Sequence, residues 1–194
     1  MQNDITEVLT TRQPLVSVVL PVYNQSNLIG NAIESIRNQT YTNWELIIVD
    51  SASDTIHRGV TEARVAMPND PRIKYGYLSD KGVFLARNHA EGKYSFAQDA
   101  DDLSLPNRIE TCVWEFENNG ADVVCHGLYE NYWNENLQCI SRRYVPALPH
   151  PNLKEDLKTH QPLPGACAYT KELVTKYPFR EETQHAYDWA MFVD

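Results

Sequence analysis

The 194-residue chain lacks any apolar run approaching the roughly 20 residues that span a bilayer. Its start, residues 1–11, is predominantly polar and has no signal-peptide core, so a cytoplasmic protein is expected. Basic residues are also few: 17 Lys and Arg stand against 26 Asp and Glu, for a net charge of −9. Binding nucleic acid without regard to sequence requires clustered Lys and Arg that displace counterions from phosphates. No nucleic-acid partner is therefore expected.

The four cysteines do not follow the spacing of the usual cysteine frameworks. There is no CxxC pair and no histidine at zinc-finger spacing beside the four cysteines, Cys112, Cys125, Cys139 and Cys167. In a chain of this size such spacing is typical of reduced, partly buried thiols rather than of disulfides or a metal site. One domain of this length buries about 70 % of its unfolded surface and needs no cross-links.

Hydrophobic periodicity alternates along the first 120 residues. Strands are predicted at 15–20, 45–49, 71–77 and 94–97, the first two of them buried. Helices are predicted at 29–36, 56–67 and 82–90, and a fourth helix has Pro106 at its first position and Gly120 as its stop. This alternation predicts βαβ units and an α/β fold with a mostly parallel central sheet and helices on both faces. After residue 120 the pattern loosens into a strand-like stretch at 122–129, a turn at 134–136 and a proline-rich segment.

Two of these helices carry start signals. Ser26 or Asn27 is expected to cap the first helix, and Ser53 or Asp54 the second, by accepting an orphan backbone N–H. The apolar face of the second helix is predicted to consist of Ile56, Val60, Ala63 and Met67.

Polar residues follow three of the predicted strands, at 21–24, 50–54 and 99–102. Ligands of an open α/β sheet bind outside the carboxyl ends of its strands. In extended backbone, side chains at i and i+2 point the same way, so Asp99 and Asp101 share one side. Two hard oxygen donors suit Mg²⁺ or Mn²⁺. The alternative is that these carboxylates only cap a helix or form turns.

Five segments in one order resemble the family 2 glycosyltransferases. They are Val18–Asn24, Ile33–Tyr41, Glu45–Asp50, Ala86–Asn88 and Asp99–Asp102, within a match that is dense from Pro14 to Arg108. The resemblance implies a GT-A fold, a nucleoside-diphosphate-sugar donor, a divalent metal and transfer with inversion at the anomeric carbon.

The resemblance also implies roles for individual residues on the donor side. Pro21 and Tyr23 would line the nucleobase and ribose pocket, with Asp50 beside them. Asp99 would approach the ribose or the metal, and Asp101 would be the principal metal ligand. Arg87 would lie near the donor, and an ordinary salt bridge on a helix surface is its alternative.

The second half resembles the family at 164–169, 179–182 and 186–189. By this resemblance Asp188 is the general base that deprotonates the acceptor hydroxyl. The alternative for Asp188 is a carboxylate favoured at a helix N-terminus. Tyr187 replaces a glutamate that family members often carry. His126, on a strand-like segment, is predicted to be a hydrogen-bonded core histidine rather than a ligand.

Two departures from the family pattern affect the donor and acceptor predictions. Ser51 and Ala52 stand where an Asp and a Gly are usual. A UDP-sugar is expected, but this departure leaves the identity of the donor's nucleobase open. The sequence ends at Asp194, where many relatives continue, so either a C-terminal region is missing or this is a minimal form.

Together these patterns predict a polar tail (1–13), a nucleotide-sugar-binding half (14–120) and an acceptor half of the same domain (121–194). The expected activity is a metal-assisted, inverting glycosyltransferase acting on a saccharide or lipid-linked acceptor, with peripheral contact at the inner face of the membrane in the lipid case. The alternative is a non-catalytic nucleotide-sugar-binding or scaffold domain. A nucleotidyltransferase is disfavoured, because residues 21–27 hold no Gly, Lys or Arg for a triphosphate loop.

Overall fold

The computed structural model describes residues 13–80, 87–88, 90–136, 138–146 and 167–179. In chain order its elements are β1 (Val16–Val22), α1 (Ile29–Arg37), β2 (Trp44–Ser51), α2 (Thr55–Ala66), β3 (Ile73–Leu78), β4 (Tyr94–Ala97), α3 (Arg108–Asn119), β5 (Val123–Cys125), β6 (Leu128–Trp133), β7 (Cys139–Val145), β8 (Cys167–Thr170) and α4 (Lys171–Lys176). The predicted α/β class is confirmed, and the predicted helix at 82–90 lies largely outside the described residues.

A six-stranded sheet in the order β3-β2-β1-β4-β8-β5 forms the centre of the fold. β1 pairs in parallel with β2 and β4, and β2 in parallel with β3, whereas β8 runs antiparallel to β4 and β5. The prediction of a mostly parallel sheet is thus confirmed. Because parallel strands end at one edge, the carboxyl ends of β1, β2 and β4 lie side by side where the strand order changes direction.

Helices α1 and α3 bury the apolar faces that their spacing predicts. The buried residues are Ile29, Ala32, Ile33 and Ile36 on α1, and Ile109, Cys112, Val113 and Phe116 on α3. They join the strands in one core, and each fully buried aliphatic side chain contributes about 1.5–3 kcal/mol. Gly120, with φ of 64°, ends α3 in the left-handed conformation that glycine adopts without strain.

The start of α1 corrects a prediction. Leu28 is its N-cap residue, and no side chain in the described part of the chain caps it. Ser26 instead places its Oγ 2.8 Å from His57 Nδ1, in the first turn of α2. The Ser26 hydroxyl therefore joins α2 to the loop after β1, and Asn27 does not cap α1 either.

Helix α2 presents a different face to the core from the one predicted. Ile56, Val60 and Met67 are 79 %, 41 % and 76 % exposed, whereas Thr61 is fully buried and Val65 packs against the core. The exposed Ala63 completes the wrongly predicted face.

Polar contacts at its first turn set the orientation of α2. Asp54 caps it, as predicted, by accepting from the N–H groups of Ile56 and His57. The contact with Ser26 then holds His57 toward the core, and residues four apart on a helix share a face. Thr61 and Val65 consequently follow His57 inward.

The chain after residue 120 adds β5 and β8 to the same sheet and forms a separate β6–β7 hairpin. Its turn lies where it was predicted, because Asn134 Oδ1 accepts from the N–H groups of Asn136 and Gln138. Among the helices of the described segments, none is long and apolar enough to cross a membrane.

Candidate active site

The loops after β1 and β2 are joined by reciprocal hydrogen bonds at the carboxyl edge of the sheet. The Asn24 N–H donates to Ser53 Oγ at 2.9 Å, and the Asp54 N–H donates to Asn24 Oδ1 at 3.0 Å. Asn24 and Ala52 have φ angles of 52° and 64°, a region that costs a non-glycine residue roughly 1–2 kcal/mol. The reciprocal hydrogen bonds help to hold this strained geometry.

Asp50 is fully buried at the end of β2, and both of its carboxylate oxygens accept hydrogen bonds. Oδ1 accepts from the Ser53 N–H at 3.0 Å, and Oδ2 accepts from the Tyr75 hydroxyl at 3.3 Å. Burial, and then the negative charge of Asp50, raise the pKa of Tyr75 to about 12. The Tyr75 hydroxyl therefore stays protonated and keeps Asp50 in one orientation.

Three other predicted donor-side residues lie on or beside these loops. Pro21 is half-buried on β1 opposite Val49 of β2, and Tyr23, one residue beyond β1, is 49 % exposed. Ser51 is 3 % exposed, and its Oγ has no hydrogen-bond partner within the described segments. A buried hydroxyl without a partner costs about 1–3 kcal/mol, so a polar ligand group that reached it would be stabilised.

The loop after β4 presents the acidic residues, and the buried side chain of Gln98 shapes it. Gln98 Nε2 donates to the backbone oxygens of Asp99 and Asp102, at 3.1 and 2.9 Å. Its Oε1 accepts from Ser104 Oγ at 2.6 Å and from Arg108 Nη1 at 2.9 Å. Gln98 thus holds both ends of the segment that carries the carboxylates.

Arg108, at the start of α3, completes this frame. Its Nη2 donates to the Ala97 carbonyl at 2.7 Å, and its Nε donates to His126 Nε2 at 2.8 Å. Because a guanidinium only donates, the proton of His126 is on Nδ1, which donates to the Gly127 carbonyl at 2.9 Å. Burial, then the Arg108 charge, lower the pKa of His126 to about 4. His126 is therefore a neutral, hydrogen-bonded histidine, as predicted.

The electrostatics of the acidic loop bear on metal binding. Burial raises the pKa of Asp99, the positive charge of Arg87 opposes this shift, and the negative charge of Asp101 adds to it. Desolvation, then the charges of Asp99 and Asp101, raise the pKa of Asp102. These carboxylates are close enough to destabilise one another's charge, and a bound cation would relieve that repulsion.

The donor set fits a hard divalent cation that keeps most of its positions for other ligands. No group of three or more His, Cys, Asp or Glu side chains surrounds a metal position in the described part of the chain. Mg²⁺ sites commonly use one or two carboxylates and fill the rest with water and substrate phosphate oxygens. Asp99 and Asp101 could supply two such carboxylates. They lie on a turn closed by the Asp102 N–H and the Asp99 carbonyl at 3.2 Å, so the extended backbone predicted for them is wrong.

The side chain of Arg87 is buried next to Phe179. It is 7 % exposed, so the predicted alternative, a helix-surface arginine, is wrong. Its guanidinium lies 5.4 Å from the ring centroid of Phe179, which also packs edge-on against Tyr169 at 5.8 Å. Asn88, the next residue, forms two hydrogen bonds with the Phe179 backbone. Arg87 therefore stands between the acidic loop and residue 179.

Sequence analysis placed Asn24 and Ser53 at predicted strand ends and Asn88 in a resembling segment, but it gave none of them, nor Gln98 or Arg108, a role in framing the site. The one signal available was a polar glutamine directly after a buried strand. The predicted base Asp188 and the resembling segment 186–189 lie outside the described residues, as do residues 164–166 and 180–182 of the other two segments.

Solved structures with the same architecture identify the fold as the GT-A type. TarS from S. aureus in complex with UDP superposes with a TM-score of 0.66 at 19 % identity, covering 91 % of this chain and 53 % of that one. The mannosyltransferase PcManGT from Pyrobaculum calidifontis, in complex with GDP-Man and Mn²⁺, also gives 0.66 at 19 % identity, covering 93 % and 51 %. The predicted GT-A fold is confirmed.

Sequence comparison gives the family. Residues 17–177 match the profile described as glycosyl transferase family 2. The glycosyltransferase GlyG of Streptococcus pneumoniae is 36 % identical over 123 residues, which cover 61 % of this chain and 40 % of GlyG. The chain belongs to glycosyl transferase family 2, and it spans less than half the length of GlyG.

Proposed function

We propose that this chain is the donor-binding and catalytic part of an inverting glycosyltransferase. One observation carries the proposal: strands β1, β2 and β4 end at a single edge of the sheet, with the buried Asp50 at the end of β2 and Asp99 and Asp101 on the loop after β4. Parallel α/β sheets bind nucleotides at such an edge. The family membership and the GT-A fold support the same reaction class.

The proposed donor is a nucleoside-diphosphate sugar. TarS has been crystallised with UDP and UDP-GlcNAc, and PcManGT with GDP-Man. In this chain Pro21 and Tyr23 would contact the base and ribose beside Asp50, and the Ser51 hydroxyl would gain the hydrogen-bond partner that it lacks among the described residues. A UDP-sugar is the first donor to test.

Asp101, assisted by Asp99, would hold Mn²⁺ or Mg²⁺. The ion would offset the charge that develops on the departing nucleoside diphosphate. Mn²⁺ in the PcManGT complex and the electrostatic repulsion of Asp99 by Asp101 support this assignment. Arg87 supplies a buried positive charge beside Asp99, which favours the ionised carboxylate.

Asp188 is the proposed general base. Its carboxylate would take the proton of the acceptor hydroxyl as the hydroxyl oxygen attacks the anomeric carbon, on the face opposite the leaving diphosphate. General-base catalysis of this kind contributes typically 10²–10⁴-fold. A saccharide or a lipid-linked sugar is the proposed acceptor.

Calorimetric titration with UDP, GDP, dTDP, CDP and ADP, with and without Mn²⁺, tests the donor site. We expect one nucleotide to bind in a Mn²⁺-dependent manner, and this binding to be lost in Asp101→Ala. Asp122→Ala, which removes an exposed carboxylate immediately before β5, is the matched control and should bind like the parent. Binding of none of the nucleotides would contradict the proposal.

Measurements of sugar transfer and of nucleotide binding together distinguish an enzyme from a scaffold domain. Asp188→Asn should bind the nucleotide normally and lose transfer. Transfer at the parental rate in this variant would overturn the assignment of the base. Nucleotide binding without transfer or donor hydrolysis, with every donor of that nucleotide, would favour the non-catalytic alternative.

A further inference from the structure

Two cysteines face each other across the antiparallel strands β5 and β8. Cys125 and Cys167 are register partners, and their sulfur atoms lie 2.8 Å apart. Directly opposed residues of an antiparallel pair have Cα atoms about 4.5–5.5 Å apart, which is within the range found for disulfides. Shortening the contact to the roughly 2.05 Å of an S–S bond needs a shift of less than about 1 Å.

The two thiols differ in access to solvent. Cys125 is exposed, whereas Cys167 is fully buried. A small oxidant therefore reaches the Cys125 thiol first, and the buried Cys167 thiol is in contact with it and can react second.

The other two cysteines are poorly placed to compete. Burial raises the pKa of Cys112 to about 11, so its thiol stays protonated near neutral pH. Cys139 is exposed on β7, and its sulfur contacts Ser141 O at 3.3 Å and Asn131 Oδ1 at 3.9 Å rather than another thiol. Cys139 thus provides an exposed cysteine for comparison with Cys125.

We propose that Cys125 and Cys167 are a redox modification site, which closes to a reversible disulfide on reaction with a small disulfide such as oxidised glutathione. The Cys125 thiolate attacks one glutathione sulfur, breaks the glutathione S–S bond, and forms a mixed disulfide with release of one glutathione thiolate. The Cys167 thiolate then attacks Cys125 Sγ, breaks the mixed disulfide and releases the second glutathione thiolate. Two cysteine thiols are oxidised, and one glutathione disulfide is reduced to two glutathione molecules, which take up the two protons.

The cross-link would join two residues that are 42 positions apart, with the β6–β7 hairpin between them. A bond across a long loop stabilises a protein chiefly by restricting its unfolded chain. The bond would also tie β8 to β5, and β8 is the strand whose Ala168 pairs with Phe96 of β4, the strand that leads to Asp99. Oxidation therefore acts on β8, the strand that neighbours β4 in the sheet.

The test exposes the whole chain to buffers of stepped reduced-to-oxidised glutathione ratio, followed by acid quench and labelling of the remaining thiols with a maleimide. We expect the labelled thiols to fall from four to two as a single step, with the mass lower by two hydrogens. The melting temperature should rise by roughly 5–15 °C and return to its starting value with dithiothreitol. Retention of all four thiols, or a persistent glutathione adduct on Cys125, would overturn the proposal.

Single variants assign the bond. Cys139→Ser should oxidise like the parent, falling from three thiols to one. Cys125→Ser should keep its three thiols and show no rise in melting temperature. Cys167→Ala, which replaces a buried thiol with a small apolar side chain, should stop at the mixed disulfide on Cys125. Loss of oxidation in Cys139→Ser would also contradict the proposal, because it would place the disulfide elsewhere.

Discussion

The side-chain amide of Asn88 pairs with the backbone of Phe179 in both directions. Asn88 Nδ2 donates to the Phe179 carbonyl, and the Phe179 N–H donates to Asn88 Oδ1, each at 2.9 Å, between residues 91 positions apart. Arg87 precedes Asn88, and its guanidinium lies over the Phe179 ring. The pairing therefore locates a buried positive charge near Asp99 as well as joining the chain before β4 to the chain after α4.

Asn88→Ala removes both hydrogen bonds, so we expect the free energy of unfolding to fall by about 1–3 kcal/mol. Urea denaturation of the purified variant measures this change. Asn118→Ala is the control: its Nδ2 donates to the Trp114 carbonyl on the exposed side of α3, and its loss should change stability by less than about 0.5 kcal/mol. Equal stabilities of the two variants would show that the Asn88 pairing contributes little.

Ala52→Gly should stabilise the protein by about 1 kcal/mol, because Ala52 has a φ of 64° and glycine adopts that region without a Cβ penalty. The matched variant is Ala63→Gly, at an exposed position inside α2. There glycine should instead destabilise by about 0.5–1 kcal/mol. Opposite signs in thermal or urea denaturation confirm the backbone strain, and a loss of stability in Ala52→Gly speaks against it.

His126 makes stability depend on pH. Its pKa is lowered from 6.5 to about 4 in the folded protein, so between those values the unfolded chain binds the extra proton. The titration of His126 therefore does not lower the free energy of unfolding well above pH 6.5, and it lowers it progressively as the pH drops from 6.5 toward 4. From pH 7 to pH 5 the loss should be on the order of 1–2 kcal/mol.

Urea denaturation at pH 7 and pH 5, in the parent and in His126→Gln, checks this prediction. The comparison avoids Asp70, whose pKa of about 2, lowered chiefly by its hydrogen bond with Arg72, affects stability only at more acidic pH. The His126→Gln variant should lose less stability than the parent between the two pH values. An identical loss in both proteins would refute the assignment to His126.

Asp99→Asn should separate stability from function. Because burial raises the pKa of Asp99, its ionised form costs folding energy near pH 7, and an amide removes that cost. The metal-free variant should melt at a higher temperature than the parent, while the Mn²⁺-dependent affinity for nucleotide falls at least about tenfold. Scanning fluorimetry and calorimetry give the two readouts, and Asp122→Asn should alter neither.

The sequence could predict the elements whose apolar residues repeat clearly. The faces of α1 and α3 followed from spacing alone, because four apolar side chains on each have no place but the core. On α2 the apolar stripe lies outward, since the cap at Asp54 and the contact of His57 with Ser26 decide its orientation. Such contacts between polar residues far apart in the sequence produce no periodic pattern from which they could be predicted.

The candidate site divides in the same way. Asp50, Asp99 and Asp101 stand at strand ends, and parallel pairing brings strand ends together, so their edge of the sheet was predictable. Gln98 donates to backbone atoms of the acidic loop, and Arg108 donates to the Ala97 carbonyl at the end of β4. The residue types alone do not predict these contacts. Cys125 and Cys167 meet only because β8 pairs with β5 in one register. The boundary at residue 120 and the role of Asp188 stay predictions.

The hydrogen bonds between Asn24 and the Ser53–Asp54 segment hold the loops after β1 and β2 together before any nucleotide binds. The two loops already share their contacts, so few backbone torsions would remain to be ordered when a base enters between them. Association with such a prearranged surface loses little conformational entropy. The same amide protons of these loops should therefore be protected from exchange with solvent in the free and in the nucleotide-bound protein. The nucleotide would add contacts without changing the conformation of the loops.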